Sequence, residues 1–180
     1  MLVKYPLLLI CVFTVTSLTA SAQAVQSVYT DLGGNKCRTL EESPEEASYL
    51  LQQCPGVAGY KILVSYGDDR ANITVVKPDG SKHDLNFWQI GGGSFSSVGT
   101  KAEWRVKRQN GKLVPIALIV RFNLVENPSV PEKSTSFLIV TKITAQQICR
   151  VDEVRPGPKA NEEARRLADS SATRPCVKLL

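Results

Sequence analysis

The sequence predicts an α+β fold: a central antiparallel β-sheet meander flanked by an N-terminal and a C-terminal helix and stapled by two disulfides. Three observations carry this expectation. From residue 59 to 154 apolar residues recur mostly with period two, and short Gly-, Asp- and Asn-rich connections between the runs suit antiparallel neighbours. Segments on either side carry helix signals instead. Four cysteines remain once an export signal is set aside, an even number that favours pairing.

The chain begins as a secretory signal. Lys4 supplies the positive start, Leu7 to Val15 is apolar except for Thr14, and Ala20-Ser21-Ala22 is a small-x-small cleavage site before Gln23. Ala22-Gln23-Ala24 is a second possible site. The expected organisation is a signal peptide over residues 1–22 and a single α+β domain over 23–180. No later stretch approaches the roughly 20 apolar residues of a membrane-spanning helix, so an exported, periplasmic or secreted product is expected, without a transmembrane segment. Cys11 lies inside the apolar run, which argues against lipid anchoring. Cleavage removes one cation, Lys4, from the formal charge of +5, leaving +4.

The first helix is expected at Ser43-Pro44-Glu45-Glu46. Ser43 can cap, Pro44 suits the first helical position, and Glu46 completes a capping box. It runs to about Gln53, with Ala47, Leu50 and Leu51 as its apolar stripe, and stops at Pro55-Gly56. Three strands follow near residues 60–66, 71–77 and 82–87, separated by the Gly67-Asp68-Asp69-Arg70 and Pro78-Asp79-Gly80 turns. The next stretch, WQIGGGSFSSVGT, is too rich in Gly and Ser to be regular over much of its length.

Two further strands, about 102–108 and 113–125, meet around Asn110-Gly111. A strict two-residue loop would set Arg105 opposite Ile116 and Glu103 opposite Leu118, mixing charges into a dry row. A Gly bulge at Gly111 shifts the parity so that Trp104 and Val106 meet Ile116 and Leu118. That version is expected, with Glu103, Arg105, Lys107 and Arg121 on one face. Lys101 joins them, and Arg108 and Lys112 stand at the tip, giving a candidate basic surface. STSFLIVTKI and Ile148–Val154 are the last strands, and a helix spans roughly Ala160 to Ser170, with Glu162 and Glu163 near its positive end.

Three cysteine pairings are formally open. The strand, Pro-Gly-Pro corner and helix between Cys149 and Cys176 have arms of similar length, roughly 20 Å each, so the helix can return Cys176 to Cys149. Cys37 and Cys54 flank the expected first helix in the same way. Cys37–Cys54 and Cys149–Cys176 are the expected bridges, each contributing on the order of 3 kcal/mol by loop closure.

Most reaction templates are missing. A single histidine, His83, precludes a two-histidine metal site, and paired cysteines leave no structural zinc set. GGGSFSSVG lacks a P-loop lysine, the third glycine of a dinucleotide fingerprint, and the closing glycine of a nucleophile elbow. Neither a catalytic residue nor a metal or cofactor is expected. Asp68 and Asp69 read as turn residues, and His83 and Asp84, being adjacent on a strand, point to opposite faces. The aromatic interleaving of a single-strand nucleic-acid platform is thin, so nucleic acid is not an expected partner.

Cys54-Pro55-Gly56 with Gly59-Tyr60, then Asp68-x-Arg70, Glu103-Trp104-Arg105, Ala117 to Arg121, Cys149, the Ala160-Asn161, Ala164-Arg165 and Ala168-Asp169 series and Cys176 form a set of short motifs. Together they resemble a group of uncharacterised exported, periplasmic bacterial proteins. The resemblance implies a match over most of the mature chain and the same four cysteines, and it implies no activity. The expected function is a non-enzymatic binding or interaction module, acting through its sheet face or the 89–100 loop on an unknown protein or an acidic envelope component. Inhibition of a cell-wall-degrading enzyme is one form of this. A small hydrolase using Glu103 or Asp69 with His83, and a passive envelope component, are the alternatives.

Overall fold

A computed structural model describes residues 1, 24–43, 49–125, 127, 129–130 and 133–178. The expected signal peptide lies almost wholly outside the described residues. The strands are β1 (Gln26–Asp31), β2 (Arg38–Ser43), β3 (Tyr49–Pro55), β4 (Lys61–Gly67), β5 (Arg70–Val76), β6 (Lys82–Asp84), β7 (Ser96–Gln109), β8 (Lys112–Leu124), β9 (Thr135–Ile143) and β10 (Ile148–Val154). They form two antiparallel sheets, β1-β7-β8-β9-β10 and β2-β3-β4-β5-β6. One α-helix among the described residues, α1 (Ala160–Asp169), lies against the first sheet.

This corrects the α+β expectation of one central meander between two helices. Consecutive strands do pair, but the meander is cut in two: residues 85–95 carry the chain from β6 in one sheet to β7 in the other, and β1 returns to the edge beside β7. The N-terminal helix is also absent among the described residues. Part of its expected span, 44–48, lies outside them, and Tyr49–Pro55 is strand β3, paired on both sides with β2 and β4. Three apolar residues at 47, 50 and 51 do not separate helix from strand. Pairing with Ile62 and Tyr66, at Cys54 and Leu50, decides for strand.

The sheets face each other over a dry core. Ile62, Val64, Ile73 and Val75 on one side meet Trp104, Val106, Leu118, Val120 and Phe122 on the other. Phe87 is driven between them by the connection and meets Phe122 edge-on at 5.4 Å. Trp104 tilts against Tyr60 at 5.9 Å and donates its indole N–H to Thr30 Oγ1 at 2.9 Å. The opposite face of the first sheet is apolar too, with Ala117, Ile119, Leu138 and Val140 covered by Ala164, Leu167 and Ala168 of α1. Both expected disulfides are present, Cys37–Cys54 and Cys149–Cys176. The second holds the chain after α1 to β10, where the Val177 N–H also donates to the Arg150 carbonyl at 2.8 Å.

The β7–β8 register corrects the bulge expected at Gly111. The turn is a strict two-residue loop, with Gln109 opposite Lys112 and both Asn110 (φ 49°) and Gly111 (φ 76°) left-handed, as a type I′ hairpin requires. The parity shift occurs further along, between Val106↔Pro115 and Arg105↔Ala117. Pro115 has no N–H for the ladder, so the bulge falls where one is already missing. Trp104 therefore faces Leu118 as expected, while Val106 faces Pro115.

Gly56 is a close-approach position. A Cβ there would lie 2.4 Å from the Tyr60 carbonyl oxygen and 2.9 Å from the Trp104 ring. Gly56→Ala is expected to cost about 1–3 kcal/mol through this overpacking, seen as a lower urea midpoint with unchanged slope. Gly157→Ala, with open space around it, is the matched control and should leave the midpoint unchanged.

Candidate functional site

The residues expected to form a basic surface divide sharply. Glu103 and Arg105 share the outer face of the first sheet, but α1 covers them and each is only 8% exposed. Arg165 donates from Nε to Glu103 Oε1 at 2.6 Å and from Nη2 to Tyr29 Oη at 3.0 Å. Arg105 grips Asp169 with both Nε and Nη2, at 2.7 and 2.9 Å. Ser27 of β1 joins the pairs, donating to Glu103 and accepting from Arg105. Burial pushes the Glu103 carboxyl up, but the hydrogen bonds from Arg165 and Ser27 outweigh it and hold the group below the ordinary carboxylate value. The same contact with Glu103 raises Arg165.

The spacing explains the fit. Residues two apart on a strand stand about 6.7 Å apart, and residues four apart on a helix rise about 6 Å. Glu103-x-Arg105 and Arg165-x-x-x-Asp169 are thus complementary rulers of opposite charge order. This pattern was legible as sequence, but nothing along the chain says that the two segments meet. The remaining cations are left at the surface: Lys101 pairs with Asp31 at 2.6 Å, Arg121 donates to Ser136 Oγ at 2.9 Å, and Arg108 donates to the Gly111 carbonyl at 3.0 Å. Lys107 is half-buried and Lys112 exposed.

The groups of the hydrolase alternative are scattered. Asp69 sits in the β4–β5 turn, whereas His83 pairs with Val75, five residues along β5 from Arg70 and so roughly 17 Å away. Glu103 lies on the other sheet, beneath α1. No group of three potential metal ligands occurs among the described residues.

A cleft of about 400 Å³ opens instead at one end of the sandwich, where the elements of both sheets converge. It is lined by Tyr66 from β4, Asp69 from the β4–β5 turn, Phe95, Ser96 and Ser97 at the start of β7, Asn123 and Val125 at the end of β8, and Ser134 before β9. A larger crease of about 560 Å³ follows the Pro156-Gly157-Pro158 corner. Apart from Glu163 it is made by one continuous stretch, residues 152–160, so it brings together no distant groups.

Two main-chain bonds and one to a serine hydroxyl hold the cleft open. Ser96 N–H donates to the Asp69 carbonyl at 2.8 Å, Val125 N–H to the Phe95 carbonyl at 2.9 Å, and Ala71 N–H to Ser96 Oγ at 3.0 Å. Asp68 (φ 52°) and Asp69 (φ 56°) are both left-handed, which sets the turn and projects it past the end of β7. Gly91, Gly92 and Gly93 are also left-handed; a Cβ on Gly91 would overlap Leu124, and the Gly93 carbonyl accepts from Arg70 Nε. The Arg70 guanidinium lies over the Phe95 ring at 5.6 Å. The Gly/Ser stretch is thus a pinned wall that presents Phe95, 36% exposed, and Trp88, 48% exposed. Burial pushes the Tyr66 hydroxyl above its ordinary value, only partly offset by a hydrogen bond from the Val98 backbone, so it is a neutral lining group.

Neither family models, curated proteins nor solved structures gave a match to this chain. No described helix is long and apolar enough to cross a membrane.

Two measurements test the clamp beneath α1. Asp169→Ala takes from the buried Arg105 guanidinium its two-point carboxylate partner, leaving it only the Glu103 carboxylate at 3.7 Å, and should cost about 2–3 kcal/mol, below the full cost for a buried pair because Asp169 is one-third exposed. An unchanged urea midpoint would contradict the clamp. Since the folded state holds the Glu103 carboxyl below its ordinary 4.5, its contribution is complete above that pH and is lost as pH falls through the folded value. The stability gap between wild type and Glu103→Gln should therefore be constant from pH 7 to about 5 and shrink at lower pH.

Proposed function

We propose that this chain is an exported, non-enzymatic binding module whose ligand is taken by the cleft at the loop end of the sandwich. The observation that carries this reading is the convergence of four separate chain segments on one preformed cleft, with an exposed aromatic ring on its wall. Mixed apolar and polar lining on rigid elements is the general character of small-ligand sites. Export rests on the signal-like residues 1–22 and fits the two disulfides, which persist in oxidising compartments. The hydrolase alternative loses support because Glu103, Asp69 and His83 do not converge, and a general acid or base needs hydrogen-bond reach to a common atom.

The runner-up site is the surface left by Lys101, Lys107, Arg108, Lys112 and Arg121, which would suit an acidic envelope component. Co-sedimentation with envelope material stripped of protein by protease separates the two. Wild type is expected to pellet with this material, Phe95→Ala combined with Asp69→Gly to lose at least tenfold of the bound fraction, and Lys101→Glu combined with Lys107→Glu to retain it. The reverse pattern would transfer the site to the basic surface, and a wild type that stays in solution would end the proposal.

A further inference from the structure

We infer that the ligand of the loop-end cleft is an uncharged saccharide; this rests on the binding reading above and names its chemistry. The charge pattern is the first argument. No Lys or Arg lines the cleft among the described residues, and the Arg70 guanidinium on its flank is already engaged by Asp68 and the Gly93 carbonyl, so no uncommitted cation there neutralises a phosphate, sulfate or carboxylate. Among the described residues the one lining charge is the Asp69 carboxylate, while the chain without residues 1–22 carries +4, one less than the +5 of the full sequence. The overall field opposes a cationic ligand and the local lining opposes an anionic one. A neutral ligand is what remains compatible with both.

The lining chemistry is the second argument. A sugar ring offers apolar C–H faces and a rim of hydroxyls that both donate and accept. Phe95 and Tyr66 supply apolar rings, and Val125 extends the dry surface. The polar groups are of the kinds that bind hydroxyls, and several have capacity to spare. The Asp69 carboxylate and the Ser134 hydroxyl make no side-chain hydrogen bond within the described residues. Ser97 Oγ accepts from Asn123 Nδ2 at 3.3 Å and keeps its own proton to donate. Asn123 is itself oriented, because its Oδ1 accepts from Ser136 Oγ at 2.8 Å, and Ser136 is in turn held by Arg121. This relay runs across β7, β8 and β9 and fixes the polar wall before any ligand arrives. Arg70 closes the other flank by stacking on Phe95 while its guanidinium is occupied by Gly93 and Asp68. The cleft volume lies at the low end of the range for small-ligand sites, which suits a short saccharide rather than an extended peptide. Prior fixing of both walls lowers the ordering cost of binding.

The test is an amide NMR titration of the full exported chain with both disulfides intact. The probes are the methyl glycosides of glucose, galactose, mannose and N-acetylglucosamine, chitotriose, cellotriose, tri-alanine, a Lys-Ala-Lys peptide and inorganic phosphate. At least one saccharide is expected to give saturable shifts at Phe95, Ser97, Asn123 and Ser134. Phe95→Ala and Asp69→Gly should each weaken that binding about tenfold, Phe95→Tyr should restore it, and Arg108→Ala should titrate as wild type. Asp69→Gly removes the carboxylate while permitting the left-handed backbone, and an unshifted spectrum elsewhere confirms folding in each variant. Shifts at the cleft with a peptide or phosphate but with no saccharide would overturn the ligand class and leave the binding reading standing. Saccharide shifts that both cleft variants leave intact would overturn the assignment to this cleft. If no probe moves the cleft, the saccharide inference fails, and the co-sedimentation result decides separately whether the binding reading fails with it.

Discussion

The arrangement of the first sheet depends on one extra residue in β8. Val106 faces Pro115, Arg105 faces Ala117, and Ile116 between them has no partner. Side chains alternate with period two, so this single insertion exchanges inside and outside for the rest of the ribbon. Leu113 near the turn and Leu118 beyond the bulge both reach the core between the sheets, although they are an odd number of residues apart. The same step sends Ala117 and Ile119 to the opposite face, where α1 covers them. Without it, one arm of the hairpin would bring its apolar row to the wrong side of its partner.

That opposite face explains why the structure has a third layer. A sheet apolar on both sides needs a cover on each, and the cover here is a ten-residue helix with only a narrow apolar strip, Ala164, Leu167 and Ala168. A strip this small specifies position weakly. The crossed pairs Glu103–Arg165 and Arg105–Asp169 specify it strongly, because a shift of the helix by one turn would bring Arg165 onto Arg105 and strand Glu103. Buried ion pairs are weak sources of net stability once desolvation is counted. Selecting one docking register among several is the role their geometry fits.

The cleft has a different origin. It exists because the sheets are joined by a connection that plugs the core with Phe87 and Ile90, then turns through three left-handed glycines and delivers Phe95 to the rim. In the sequence the Gly/Ser stretch carries no sign of regular structure, and its low complexity hides where it is pinned. Its anchors, Leu124, Arg70, Asp69 and Val125, come from two other parts of the chain. Of the cleft lining, Asp69 was legible as a turn residue and Phe95 and Ser96 as members of the loop. Asn123 and Ser134 carry no motif at all, since an isolated amide or hydroxyl gains meaning only from its neighbours in space.

Local chemistry determined much of this protein directly from sequence: most of the strands from Lys61 to Val154, the C-terminal helix, the position of the Asn110-Gly111 turn though not its type, and both disulfides follow from period, turn residues and short chain reach. The bulge was expected at Gly111 and falls instead beside Pro115, whose place in a central strand is the local signal that the expectation passed over. Tertiary structure alone decided the division into two sheets, the strand character of residues 49–55, the burial of Glu103 and Arg105 and the existence of the cleft. Each of these depends on which distant segments share a boundary. A residue's period and propensity are set by its own side chain and its nearest neighbours, whereas its face, its burial and its charge partner are set by whatever packs against it.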